Sequence, residues 1–333
     1  MQCRRLELHN PIVSTYTSYG LLFSILPEDS MPWVYNNFIQ LRYAHDWKIL
    51  IFSKHPFFLS NCSGLDYYII PAEFVEDMYQ KSFMELVVYA IDKGYYIMTY
   101  ADRYYISQYE QYQKEHDGHE IIISGYDLDK QVVFVSDNLN DGRYITYECS
   151  VDMMEDAYWN LPKEYVFMSE VRFMKPRKNL MNRFNIRQVL DELKCYLNST
   201  PSYDLFYHQE YTFGFEIFDI LLDEISSAEK NRQYINLRAY HLLYEHKILM
   251  SMRVKFMEEK GYIRSELGLA SEFKELEKKY LILRNSIMKN NYLLARGKEN
   301  FTDVKNMILG LVSEEKGLIH NLIEEIEWNM EQS

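Results

Sequence analysis

A chain of 333 residues and 40.2 kDa with 47% hydrophobic residues has the material for a sizeable core, and its length suggests about two domains. A net charge of −13 and a pI near 5.2 exclude the broadly basic surface of a nucleic-acid binder, though not a local basic patch. No stretch approaches the roughly 18 apolar residues of a membrane span. The opening MQCRRLELHNPIV lacks a secretion signal's apolar core, and Cys3, Cys62, Cys149 and Cys195 form no C-x-x-C pair, so a cytoplasmic protein without membrane or nucleic-acid partners is expected.

The first element in chain order is a helix over residues 16–26, followed by another near 82–92. Short apolar runs at 95–100 (YYIMTY), 120–126 (EIIISGY), 131–135 (QVVFV) and 165–173 fit strands, and the DLDK turn at 127–130 makes the middle pair an antiparallel hairpin. A helix starts near Ser150. After MKPRKN at 174–179 the period becomes helical. Ile186, Val189, Leu190, Leu193 and Leu197 share one face, Leu276, Tyr280, Leu283 and Ile287 a second, and Val304, Met307, Ile308 and Leu311 a third; Leu318, Leu322 and Ile326 continue beyond Gly317. The expected fold class is α+β, with an antiparallel-sheet domain over residues 1–175 and an all-helical domain over 176–333.

The hairpin places His119 at the mouth of one strand and Asp137 just past the end of the next, at the same end of the pair. A carboxylate there can accept a hydrogen bond from one imidazole nitrogen, fixing the tautomer and freeing the other nitrogen as a base. The adjacent Asn138 offers an amide oxygen for the same task. The plainer alternative is that His119 ends a strand edge and Asp137 opens a turn.

The run H-E-I-I-I-S-G-Y-D followed by V-V-F-V-S-D-N resembles the histidine segment of papain-like folds, near the bacteriocin-processing cysteine peptidases. It is most similar to the N-terminal domain of butirosin-biosynthesis-protein-H-type acyltransferases of antibiotic and nonribosomal-peptide pathways. The resemblance spans roughly residues 10–175, and RAYHLLYEHKILMSMR at 238–253 resembles the helical accessory region of such proteins. It implies a papain-like domain whose N-terminal core helix carries a cysteine nucleophile, activated by the helix dipole and the histidine. The helix-start N–H groups would form an oxyanion hole.

The implied reaction is transfer of an acyl group, through an acyl-enzyme, from a carrier-bound thioester, giving an amide with a small amine or an ester with a hydroxyl. An acyl- or peptidyl-carrier protein would be the partner and phosphopantetheine the substrate's handle, with no resident cofactor. In STYTSYGLLFSIL at 14–26, the apolar tail aligns the nucleophile slot with Thr17 or Ser18, and neither is cysteine. Three readings stand open: a replaced cysteine, a hydroxyl nucleophile that needs more help from its base, or an inactive binding scaffold. A peptidase or amidase would use the same parts. Ser18 alone also reads as a helix cap. The helical half would bind the carrier, close the site or make a homodimer.

Cys62, in SNCSGLDYY, reads as an accessible loop thiol outside that slot; Cys149 precedes a helix, Cys195 lies in a helical stripe and Cys3 near the chain end. His116, His119, Asp117 and Glu120 suggest a metal, but strand spacing does not converge them. His241 and Glu245 read as a hydrogen-bonded helical pair, and Glu245, His246 and Lys247 as polar groups turned toward a cleft. Arg172, Lys175, Arg177, Lys178, Arg183 and Arg187 form a basic cluster suited either to a solvated linker or to an acidic carrier. With no G-x-x-x-x-G-K-[ST] and no G-x-G-x-x-G, the acyl group is expected to arrive already activated rather than through ATP.

Overall fold

Alternating and helical apolar patterns sort into separate bodies. The computed structural model describes residues 3–79, 82–139, 142–168, 170–177, 183–202 and 210–332. One compact unit comprises 1–30 and 57–182, the other 31–56 and 183–333. In chain order the elements are β1 (Cys3–Arg5), α1 (Thr17–Ile25), α2 (Met31–Asn37), β2 (Leu41–Ala44), β3 (Ile49–Phe52), β4 (Leu65–Ile70), α3 (Ala72–Tyr79), α4 (Phe83–Asp92) and β5 (Tyr96–Asp102). Then come β6 (Gly118–Asp127), β7 (Val132–Asn138), β8 (Tyr144–Ser150), α5 (Val151–Trp159), β9 (Val171–Pro176), α6 (Ile186–Leu197), β10 (Tyr211–Phe213), α7 (Ile217–Asn231), α8 (Leu237–Glu259), α9 (Leu269–Leu294) and α10 (Phe301–Gln332). The fold class is α+β with antiparallel sheets. No helix among the described residues is long and apolar enough to cross a membrane.

The first unit is built on the sheet β4-β9-β5-β6-β7-β8, with β1 added beside β6. Ile121, Ile123, Val133 and Val135 alternate onto one face and pack with Leu86, Val87, Ile91, Met154 and Ala157 of α4 and α5. Ser82 and Ser150 cap those helices, accepting from Glu85 N and Met153 N. The β6–β7 turn closes as expected at 127–131, where Asp127 Oδ1 accepts from Lys130 N at 3.0 Å and Gln131 takes a positive φ of 55°. Residues expected to be strand at 165–173 instead divide into a 3-10 turn, Lys163–Met168, and β9.

The glycine of the S-G-Y-D run has a packing reason. The β6–β7 register shifts between Ile123 and Gly125, and Gly125 pairs with Arg5 of β1. A Cβ at Gly125 would meet Arg4 O at 2.6 Å and Arg5 Cα at 2.8 Å, so only glycine admits that neighbouring strand. Helix α1 is buried at every position except Ser18, which is why its sequence is apolar almost all round. It contacts β6 and β7, and its Gly20 lies against the ring of Tyr144.

The second unit is not all helical, since β10-β2-β3 form a small antiparallel sheet with the helices. Buried donors explain why residues 31–56 belong to it. Arg253 of α8 donates to Tyr35 O and Phe38 O, each at 2.7 Å, and His246 Nε2–H donates to Ile39 O at 2.8 Å. Beside them Lys247 donates to Glu315, to Tyr196 Oη at 3.1 Å and to His246 Nδ1 at 2.8 Å. Glu315 also accepts from Tyr280 and from Tyr196. His246 and Lys247 are therefore core groups rather than groups turned toward a cleft, and all three ammonium protons of Lys247 are used.

Two outcomes follow for urea unfolding. Gly125→Ala should cost the first unit about 1–3 kcal/mol, read as a lower midpoint at unchanged slope. Lys247→Met should cost the second unit about 3–5 kcal/mol because Glu315 is stranded, and adding Glu315→Leu should restore most of that loss.

Candidate active site

The site begins with a carboxylate that has no contact with water. Asp137 is 0% exposed and lies within β7, which runs one residue beyond it, rather than past the strand end as the sequence suggested. Its Oδ1 accepts from Thr17 Oγ1 at 2.5 Å and from Asn138 N at 2.6 Å. Its Oδ2 accepts from Tyr109 Oη at 2.6 Å, with His119 Nδ1 at 3.1 Å and Arg103 Nη2 at 3.6 Å. Burial alone would raise this carboxyl. The hydrogen bonds from His119, Thr17 and Tyr109 outweigh that and hold it below the usual aspartate value.

The second residue of β6 is His119. Its Nδ1 also reaches Glu120 O at 2.9 Å. Both neighbours of Nδ1 are acceptors, so that nitrogen carries the proton and Nε2 keeps the lone pair in the neutral ring. The side chain is 32% exposed, and Nε2 has no hydrogen-bond partner among the described residues. The geometry thus leaves one oriented imidazole with a free basic nitrogen.

Asn138 does not reach His119. Its Nδ2 donates to Ser14 O at 2.7 Å and Gly142 O at 3.2 Å, and its Oδ1 lies 3.2 Å from Thr17 Oγ1. It ties the segment before α1 to β7, while Asp137 and the Glu120 carbonyl face the imidazole Nδ1.

At the start of α1 the two hydroxyls differ. Thr17 is buried and its proton is committed to Asp137. Ser18 is not a cap, because the helix starts at Thr17 with Tyr16 as N-cap and no side-chain cap bond. Its Oγ is enclosed and has no partner among the described residues. The backbone N–H of Ser18 lies near the carboxylate of Glu120 on β6 and favours its charged form. Burial raises the Glu120 carboxyl, against the attraction of Arg172.

Sequence reasoning missed Arg103, Tyr109 and Tyr147. Arg103 stacks on the Tyr109 ring at 4.8 Å, and Tyr147 Oη donates to Tyr109 Oη at 2.8 Å. No motif marks them. The available signal was topological: β5 ends at Asp102 opposite Gly118, so the tyrosine-rich connection leaves and returns at the end that carries His119.

The other candidates disperse. Cys62 is buried rather than accessible, and burial pushes its thiol up to about 12. Cys149 is buried in β8 and likewise pushed up to about 12. Cys3 is exposed and Cys195 half-buried, both outside this site. His241 pairs with Glu245 at 3.2 Å within α8. No group of three or more His, Cys, Asp and Glu among the described residues could hold a metal ion.

The basic cluster divides between the units. Arg172 pairs with Glu170 at 2.7 Å, Arg177 with Asp66 at 2.5 Å, and Lys175 donates to Lys93 O at 2.8 Å. Arg183 and Arg187 belong to the second unit, and Lys178 lies outside the described residues. Neither models of known families nor curated proteins match this chain.

A depressed carboxyl contributes stability above its unfolded value, near 3.9, and that contribution is lost as pH falls through the lower folded value. Asp137→Asn should therefore destabilise the first unit by about 1–3 kcal/mol at pH 7. Denaturation followed from pH 7 down to pH 2 should show the gap from wild type narrowing only below about pH 4.

Proposed function

We propose that the first unit is a papain-like acyltransferase that forms an amide or ester bond in natural-product biosynthesis. The observation that carries this reading is the His119–Asp137 pair, with Nδ1 3.1 Å from a buried carboxylate and Nε2 free, joined through Asp137 to the first turn of α1. The donor is a phosphopantetheine thioester on an acyl- or peptidyl-carrier protein in the cytoplasm, and the acceptor is a small amine. Ser18 is the better nucleophile, because Thr17 has already given its hydrogen bond to Asp137.

In this mechanism His119 Nε2 takes the Ser18 hydroxyl proton as Oγ attacks the thioester carbonyl. The C–S bond breaks, and His119 returns the proton to the departing thiolate. An amine then attacks the acyl-serine, which forms the C–N bond and releases Oγ. Water in place of the amine would make the same apparatus an amidase or peptidase.

A second reading is a binding scaffold of an assembly line that performs no chemistry. It is favoured by Ser18, whose Oγ is enclosed with no partner among the described residues, so no base touches it. Intact-mass measurement after incubation with an acyl-carrier thioester separates the two readings. Acyl transfer predicts a one-acyl mass gain in wild type, none in Ser18→Ala, a faster gain in Ser18→Cys, and loading slowed about 10²-fold or more in His119→Gln. Wild type, Ser18→Cys and Thr17→Cys all staying unmodified would leave the scaffold.

A further inference from the structure

A second imidazole–carboxylate pair stands at the same end of the sheet. His116 Nδ1 lies 2.6 Å from Asp102 Oδ2, and Asp102 is 0% exposed. The other oxygen of Asp102 accepts from Tyr104 N and Asp117 N, both at 3.0 Å, so the carboxylate is fixed on three sides. The His116 ring stacks on Tyr104 with centroids 4.3 Å apart, while its side chain is 52% exposed. Nδ1 faces an acceptor and carries the proton; Nε2 has no partner among the described residues.

The two pairs are physically joined. Arg103 places Nη1 3.0 Å from Asp117 Oδ2 and Nη2 3.6 Å from Asp137 Oδ2. The two histidines are three residues apart, which limits their Cα separation to about 10 Å. Asp102 pairs with Gly118 and Ala101 with His119, so both carboxylate–imidazole pairs sit where β5 ends and β6 begins.

Aminolysis of an acyl-serine supplies a task for a second carrier, and this step rests on the acyl-transfer reading. An aliphatic amine arrives at neutral pH as R–NH3+, and its nitrogen must lose two protons to become an amide. One proton passes through His119 to Ser18 Oγ as the C–O bond breaks. The other has to leave before nitrogen has a lone pair with which to attack.

We infer that His116, held by Asp102, takes that first proton from the acceptor ammonium and releases it to solvent, making the site one built for protonated amines. Its exposed Nε2 suits exchange with water, and Tyr104, Tyr105, Asp102 and Asp117 around it favour a cation, with Arg103 turned toward Asp117 and Asp137.

The test follows decay of the full-length acetyl-protein, loaded from acetyl-N-acetylcysteamine, by intact mass at pH 7. The nucleophiles are ethylamine, which is an ammonium there, and hydroxylamine, which is largely neutral. His116→Ala should lower the ethylamine-to-hydroxylamine rate ratio by about 10²-fold. Added imidazole should restore it, a rescue that a purely structural role would not show, and the deficit should shrink as pH rises and ethylamine loses its proton. An acetyl-protein whose ratio is unchanged in His116→Ala, or whose lowered ratio imidazole does not restore, overturns this inference and leaves the acyl-transfer reading intact. Failure to form any acetyl-protein, in wild type, Ser18→Cys and Thr17→Cys alike, overturns both.

Discussion

A carboxylate sealed from water has to be surrounded by donors, and Asp137 obtains them from separate stretches of the first unit. Thr17 comes from the start of α1, His119 from β6, and Arg103 and Tyr109 from the connection after β5. None of these bonds is local in sequence except that from Asn138 N. Each donor segment is thereby fixed against the same two oxygen atoms. The imidazole orientation is a consequence of that packing, because the charge would be too costly to bury without its partners.

The second unit obeys the same rule with the signs mixed. Lys247, Glu315, His246, Tyr196 and Tyr280 satisfy one another in the helical core, and Arg253 answers main-chain carbonyls that α2 leaves open. Such networks tolerate no partial occupancy, since a half-satisfied buried charge is worse than an apolar core. They select one packing of α6, α8, α9 and α10 from the many that leucine stripes alone would allow.

Local chemistry was legible in the sequence. The helix starts near Ser82 and Ser150, the turn after Asp127 and the helical stripes all follow from residues within a few positions of one another. The approach of His119 to Asp137 was legible too, because hairpin register is arithmetic. What could not be read was anything set by distant pairing. The unequal roles of Thr17 and Ser18 depend on which hydroxyl meets Asp137. The enclosure of the Ser18 Oγ depends on what packs over the helix start. The burial of Cys62 contradicts a neighbourhood of Ser60, Asn61, Ser63 and Gly64 that looks open on paper. Assigning residues 31–56 to the helical unit requires knowing where Arg253 and His246 donate.

That discontinuous unit bears on how the chain is made. Trp33, Phe38 and Phe52 end up buried, yet the donors for Tyr35, Phe38 and Ile39 are synthesised roughly two hundred residues later. At about 5–20 residues per second the apolar segment waits on the order of 10–40 s beside the ribosome before its partners emerge. During that interval the sheet of the first unit can finish, because its last strand ends at Pro176. The order of translation therefore favours completing the first unit first, and it leaves an apolar loop of nascent chain exposed until α8 emerges.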